Sequence, residues 1–231
     1  MSWVYEITLR GGPEADQASI AWFAQGAGRA LAALPGLACA DIYTPVQGSA
    51  KDPYNHETSF PALLLMLDFK SRNALADAVN SGAIARALGA LPDKIAATGA
   101  AFERRFYPVG TGATPAPLDA PFSYVVRYHR PAEDEKAFID NYLATHPVTQ
   151  AALPGIRAIM CYLPIDEIGQ SGPLASANYM IGNEVVFDDL AAFNVAMASP
   201  VREELRAHFR EFPPFSGGNT HFPMARRRFF G

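Results

Sequence analysis

The chain has 231 residues, of which 49% are hydrophobic and 18% charged, with a formal net charge of −4. That length suits one large domain or two small ones, and the balance is that of a folded globular protein rather than a disordered one. The small negative charge excludes the basic field that nonspecific nucleic-acid binding needs, so no nucleic-acid partner is expected. Cys39 and Cys161 form neither a disulfide framework nor a CxxC pair and read as reduced core residues. The opening MSWVYEITLRGG lacks the basic and apolar regions of a signal peptide, and no run is long and apolar enough to span a bilayer. The expectation is a cytoplasmic protein with no membrane partner.

Residues 3–9 alternate Trp3, Tyr5, Ile7 and Leu9 against Val4, Glu6 and Thr8, a strand pattern. A helix is expected over 14–34, packed by Ile20, Phe23, Ala24, Ala27 and Leu31, and stopped by Leu34-Pro35-Gly36. A second strand at 37–43, a long polar loop at 44–61 and a continuously apolar third strand at 62–69 follow. A broken helix over 73–79 and 83–91 and a fourth strand at 100–107 complete a β-α-β-β-α-β order. Residues 108–121, with four prolines and two glycines, read as a linker.

The order then begins again: strand 122–129, helix 132–153 broken at Pro147, strand 156–163, long loop 164–177, strand 178–187, helix 190–198 with 200–212, and strand 222–230. Leu34 and Leu153 lie 119 residues apart, as do Tyr5 and Tyr124. Arg104-Arg105-Phe106 is echoed by Arg227-Arg228-Phe229. Self-similarity of this kind argues for two copies of one unit. The fold class is therefore α+β: two tandem ferredoxin-like β-α-β-β-α-β repeats, 1–107 and 122–231, joined by the linker 108–121 into an intrachain pseudo-dimeric α/β barrel. Helices are expected outside, with a partly polar cavity between the sheets. By alternation Phe122, Tyr124, Val126 and Tyr128 face the helices, and Ser123, Val125, Arg127 and His129 face that cavity.

His146 shares a helix face with Tyr142 and Phe138 and directly precedes Pro147. It reads either as a general acid/base, with Tyr142 as a ligand contact, or as a core histidine bonded to backbone or tyrosine. Arg127 and His129, with Glu184 on a neighbouring strand, offer two alternatives. Arg127 and Glu184 form a structural ion pair, or Arg127 holds an anionic oxygen while His129 or Glu184 moves a proton. Tyr128 and Tyr179 are either donors to a phenolic substrate or packing residues. Arg226 and Arg228 share a strand face, either as an edge-protecting set or as a carboxylate anchor with Arg104 or Arg105. His56, His129, His146, His208 and His221 show no metal-ligand spacing, and no nucleophile elbow, phosphate loop or dinucleotide motif occurs.

The second repeat resembles the EthD-like family of the dimeric α/β-barrel superfamily over residues 122–230, through four segments. These are Tyr128-His129-Arg130-Pro131, Tyr142-Leu143-Ala144-Thr145-His146, Leu153-Pro154-Gly155 and Glu184-Val185-Val186-Phe187. Residues 3–107 fit mainly as fold. The resemblance implies a barrel of ferredoxin-like units, here a fused pair, with one working cavity in the second half. Relatives include cofactor-free monooxygenases, isomerases, decarboxylases or dehydratases of aromatic polyketides, and haem-handling enzymes; fold alone does not choose among them. The leading expectation is a cofactor-independent lyase, isomerase or monooxygenase acting on an aromatic or polyketide-like ligand in the inter-sheet cavity, with histidine acid/base chemistry and no metal. A non-catalytic small-molecule binder and a haem-binding protein stay open, as does association into a homodimer of pseudo-dimers.

Overall fold

The computed structural model describes residues 1–110, 114 and 116–231, the side chains of Pro13 and Ala15 excepted. The middle of the expected linker, 111–113 and 115, lies outside the described residues. Strand β1 (Ser2–Arg10) leads into α1 (Pro13–Trp22), a π turn (Phe23–Ala27) and α2 (Gly28–Ala32). Then come β2 (Leu37–Pro45), β3 (Leu63–Phe69), α3 (Arg72–Asn80), α4 (Ala83–Leu88) and β4 (Ala96–Tyr107). The second half runs β5 (Phe122–His129), α5 (Glu135–Gln150), β6 (Ala158–Pro164), the two-residue β7 (Ala175–Ser176), β8 (Tyr179–Phe187), α6 (Leu190–Met197), α7 (Pro200–Arg210) and β9 (Asn219–Phe230).

Local chemistry sets several of these boundaries. Asp134 and Asp189 accept the backbone N–H groups of Ala137 and Ala192, both at 2.8 Å, capping α5 and α6. Both Leu-Pro-Gly turns end on a glycine in the left-handed region, Gly36 at φ +76° and Gly155 at φ +73°. Two expectations need correction. The first helix is kinked at Gly26 rather than continuous, and its expected packing stripe is only partly buried: Ile20 is 48% exposed and Ala24 is exposed, while Ser19 is buried. Helix α5 continues through Pro147 instead of breaking there. Proline removes one ladder bond, and the Thr145 and Thr149 hydroxyls donate to the Asn141 and Thr145 carbonyls around it.

Eight antiparallel strands hydrogen-bond in the order β1-β3-β2-β9-β5-β8-β6-β4, and β4 returns to pair with β1, so the sheet closes into a barrel. The pairings β2–β9 and β4–β6 are the seams between the halves, and closure leaves none of the eight with an open edge. Helices coat the outside in two separate layers. One packs on Tyr5, Ile7, Leu9, Leu65 and Leu67, the other on Phe122, Tyr124, Val126 and Tyr128, as strand parity predicts.

The barrel interior is filled rather than hollow, which corrects the expected inter-sheet cavity. Val4, Leu64, Met66, Phe102, Val125, Met160, Phe222 and Met224 occupy it. The ionisable side chains among them all have ionic or hydrogen-bond partners, because an unpartnered buried charge would be far too costly. Arg127 is fully buried and donates through Nε to Glu6 at 3.0 Å, not to Glu184. Glu184 accepts from the hydroxyls of Tyr43 (3.1 Å) and Tyr162. Arg104 pairs with Asp68, and Arg226 and Arg228 both pair with Asp41.

Each long loop crosses to the opposite half. Residues 46–62 lie over α6 and α7, with the Lys51 N–H donating to Asn194 Oδ1 at 2.7 Å. Residues 165–178 lie over the first half, where Ile165, Ile168 and Leu174 join its helix-side core. No described helix is long and apolar enough to cross a membrane.

Candidate functional site

The open space in the second half lies between its helices and the outer face of the sheet. A narrow inner cleft of about 40 Å³ is lined by aromatic and aliphatic side chains, among them Tyr124, Tyr128, Tyr142, Met197 and Leu205, with His146, Gln150, Asn183 and Arg202 as the polar groups. It continues into an outer cleft of about 90 Å³ that adds Tyr54, Arg206, Phe209, Asn219 and His221. An apolar pocket with a few convergent polar groups is the usual form of a small-molecule site.

His146 projects from α5 onto the Tyr142 ring, 4.7 Å between centroids, with Phe212 at 5.4 Å. Spacing of four residues along the helix places the two rings together. His146 makes no hydrogen bond among the described residues, and its Nδ1 is wholly buried. The Tyr142 hydroxyl is likewise buried and makes no hydrogen bond of good geometry, the Tyr128 hydroxyl being its polar neighbour. The core-histidine alternative required a bond to backbone or tyrosine, and that bond is absent among the described residues. Burial, reinforced by Arg202, His208 and His221, lowers the His146 pKa to about 3. The imidazole is therefore neutral at physiological pH. His221 is lowered to about 4, again mainly by burial, with Arg202 contributing and Asp52 opposing.

A fixed ionic group walls the cleft. Asp52, on the crossing loop from the first half, accepts the Tyr124 hydroxyl at 2.6 Å and Arg202 Nε and Nη2, each at 3.0 Å. His221 stacks on Tyr124 at 5.6 Å. Deeper in, Gln150 and Asn183 exchange side-chain amide bonds of 2.7 and 3.1 Å.

The sheet divides the residues proposed from the sequence. Tyr128, Tyr142 and His146 line the cleft. Arg127, Glu184, Tyr179 and Arg226 point to the other side, inside the barrel. His129 sits at a barrel end, its Nε2 3.2 Å from Thr220 Oγ1, with its pKa lowered by burial and then by Arg10 and Arg127. Sequence reasoning missed Asp52, Arg202, Arg206 and His221 as parts of one site; the length and polarity of the loop carrying Asp52 were the available signal. The haem alternative asks for a histidine nitrogen aimed into a slot wide enough for a macrocycle. His146 packs against Tyr142 with the rings tilted by 34°, and the cleft is narrow and braced by the Asp52–Arg202 and Gln150–Asn183 pairs, so these residues do not fit that group. Among the described residues no three His, Cys, Asp or Glu side chains converge as metal ligands.

No protein-family model and no curated protein matches the sequence. Solved structures do match in shape. An anthrone oxidase-like protein aligns with TM-score 0.60 at 14% identity, over 98% of this chain and 92% of its own. A protein of Lactobacillus acidophilus NCFM, assigned by name as a monooxygenase, aligns with TM-score 0.53 at 10% identity, over 98% and 94%. Chlorite dismutase from Candidatus Nitrospira defluvii aligns with TM-score 0.51 at 10% identity, over 97% and 91%. At such identities the likeness establishes architecture alone, and the architecture is that of the dimeric α/β-barrel fold.

Proposed function

We propose that this chain is a small-molecule enzyme that binds an aromatic, proton-bearing compound in the helix-side cleft of residues 122–231 and moves a proton with His146. The observation that carries the reading is the pair of buried, unpartnered polar groups, the His146 imidazole and the Tyr142 hydroxyl, side by side in an aromatic cleft. Orphaned buried polar groups cost free energy unless a ligand completes them. Neutral His146 takes a proton from a phenol, an enol or a C–H beside a carbonyl. The anion left behind accepts a hydrogen bond from Tyr142. A pKa of about 3 makes His146 a weak base in the empty cleft, so proton transfer requires the new anion beside it to stabilise the imidazolium. This step is common to cofactor-independent lyases, isomerases and oxygenases, and it involves no change of oxidation state.

In this reading Tyr128 and Tyr142 contact the ligand, whereas Arg127, Glu184, Tyr179, Arg226 and His129 hold the barrel and its end. We also infer that 1–107 and 122–231 are fused copies of a ferredoxin-like unit joined by 108–121, the second copy EthD-like and furnished with chemistry by its partner's loop. A cytoplasmic location and pairing of whole chains are carried as parts of the same proposal.

Anthrone, suggested by the name of one neighbour, is the first probe. In D2O without oxygen, the wild-type protein is expected to accelerate exchange of the anthrone C10 hydrogens, followed by proton NMR. His146→Ala with its fold intact should slow that exchange by about tenfold or more. Exchange equally fast in His146→Ala and Tyr142→Phe would overturn the reading. Retention of anthrone without exchange would mark a binding protein instead.

A further inference from the structure

Arg202 and Arg206 lie one helical turn apart on α7, and both reach the outer cleft. Their circumstances differ. Arg202 is neutralised by Asp52. Arg206 makes no ion pair among the described residues, and its Nε is buried without a hydrogen-bond partner. Its guanidinium carbon sits 4.9 Å from the Tyr54 ring centre and 5.0 Å from that of Phe209, so two rings hold the planar group in place. The nearest carboxylate on its own helix face, Glu203, is exposed and engaged by the Tyr54 hydroxyl at 2.6 and 2.7 Å. The outer cleft thus presents a fixed cation with donors to spare, contiguous with the aromatic inner cleft.

We propose that the ligand is an aromatic acid. Its ring occupies the inner cleft against Tyr142 and its anionic group, a carboxylate, binds the Arg206 guanidinium in the outer cleft, beside Tyr54 and Asn219. Planar guanidinium and carboxylate match as a two-pronged, charge-assisted pair, and a preorganised fork loses little freedom on forming it. Tyr54 then sets the spacing between ring and acid, because it packs on both Arg202 (4.8 Å) and Arg206. The proposal rests on reading the cleft as a ligand site, and the test separates the two.

Binding of 2-naphthol and of 6-hydroxy-2-naphthoate is measured by naphthalene fluorescence, with the His146 imidazole proton shift locating the ring. Wild type is expected to bind both, the carboxylate about tenfold or more tightly, with that preference shrinking as salt rises. Arg206→Gln should abolish the preference while leaving 2-naphthol affinity unchanged, and Arg206→Lys should keep part of it. Equal affinity for both probes in wild type, or a preference that survives Arg206→Gln, would overturn the anion assignment while the cleft reading stands. Failure of the carboxylate probe alone would overturn the anion assignment, and failure of both probes to bind or to shift His146 would overturn both.

Discussion

Replacing Asp52 by alanine tests how the two halves are coupled. Its carboxylate, on a side chain 1% exposed, accepts the Tyr124 hydroxyl, two nitrogens of Arg202 and the backbone N–H of Tyr54 at 3.1 Å. Removing it strands the Tyr124 hydroxyl, which lies under the loop, and the Arg202 guanidinium, whose side chain is 13% exposed. Breaking a fully buried pair from one side costs roughly 3–5 kcal/mol. The partial exposure of Arg202 brings the expectation for Asp52→Ala to about 2–4 kcal/mol, mostly the penalty of uncompensated groups rather than of a lost attraction. Arg202→Met alone leaves the anion stranded instead and is expected to cost a similar amount. The double variant removes both charges, so it should fall short of the sum by at least about 1.5 kcal/mol. Urea unfolding of the four proteins gives the cycle directly. A loss below about 0.5 kcal/mol for Asp52→Ala, or strict additivity, would refute the claim that the first-half loop is clamped onto the second-half cleft.

Acid should weaken the fold through the cleft histidines. Unfolded, His146 and His221 take up protons near 6.5, whereas the folded chain holds them neutral down to about 3 and about 4, so stability falls as pH drops below 6.5. His146→Phe should flatten the curve between roughly pH 6 and 5 by up to about 1.4 kcal/mol per unit, read from urea unfolding at each pH; an unchanged slope would contradict the burial of a neutral imidazole. Inside the barrel, Glu6→Leu leaves Arg127 unpaired and is expected to cost about 3–5 kcal/mol, whereas Glu6→Leu with Arg127→Met should recover much of that in thermal or urea unfolding. Gly172→Ala should destabilise by about 2 kcal/mol or more, since its φ is +61° and the new Cβ would stand 2.4 Å from Ala85 Cβ. A neutral result there would show that the second long loop is not pinned to the first half.

The sheet side of each residue was legible because alternation is a local property. Phe122, Tyr124, Val126 and Tyr128 face the helices and Val125 and Arg127 the interior, as their parity requires. The same parity shows why Tyr128 cannot share a site with Arg127 and His129: adjacent residues on a strand lie on opposite faces. What fills a barrel is not local. Glu6 meets Arg127 from 121 residues away, and a carboxylate that neutralises an interior arginine leaves no pattern near either residue. The site escaped for the same reason, since Asp52 lies 150 residues before Arg202 and reaches it only because the loop crosses the seam. His146 was visible through its spacing from Tyr142, whereas its lack of a partner is a fact of three dimensions. Proline at 147 suggested a break, yet α5 runs through it to Gln150 with Phe138, Tyr142 and His146 buried against the sheet.

The central claim is that ligands enter the helix-side cleft and meet His146. A crystal structure of the protein soaked with 2-naphthol tests it most directly. The naphthalene ring is expected between α5 and α7, against Tyr142, with its hydroxyl at hydrogen-bond distance from the His146 imidazole. A ring seated inside the barrel beside Arg127 and Glu184, or a cleft left empty with the His146 ring unmoved, would contradict it.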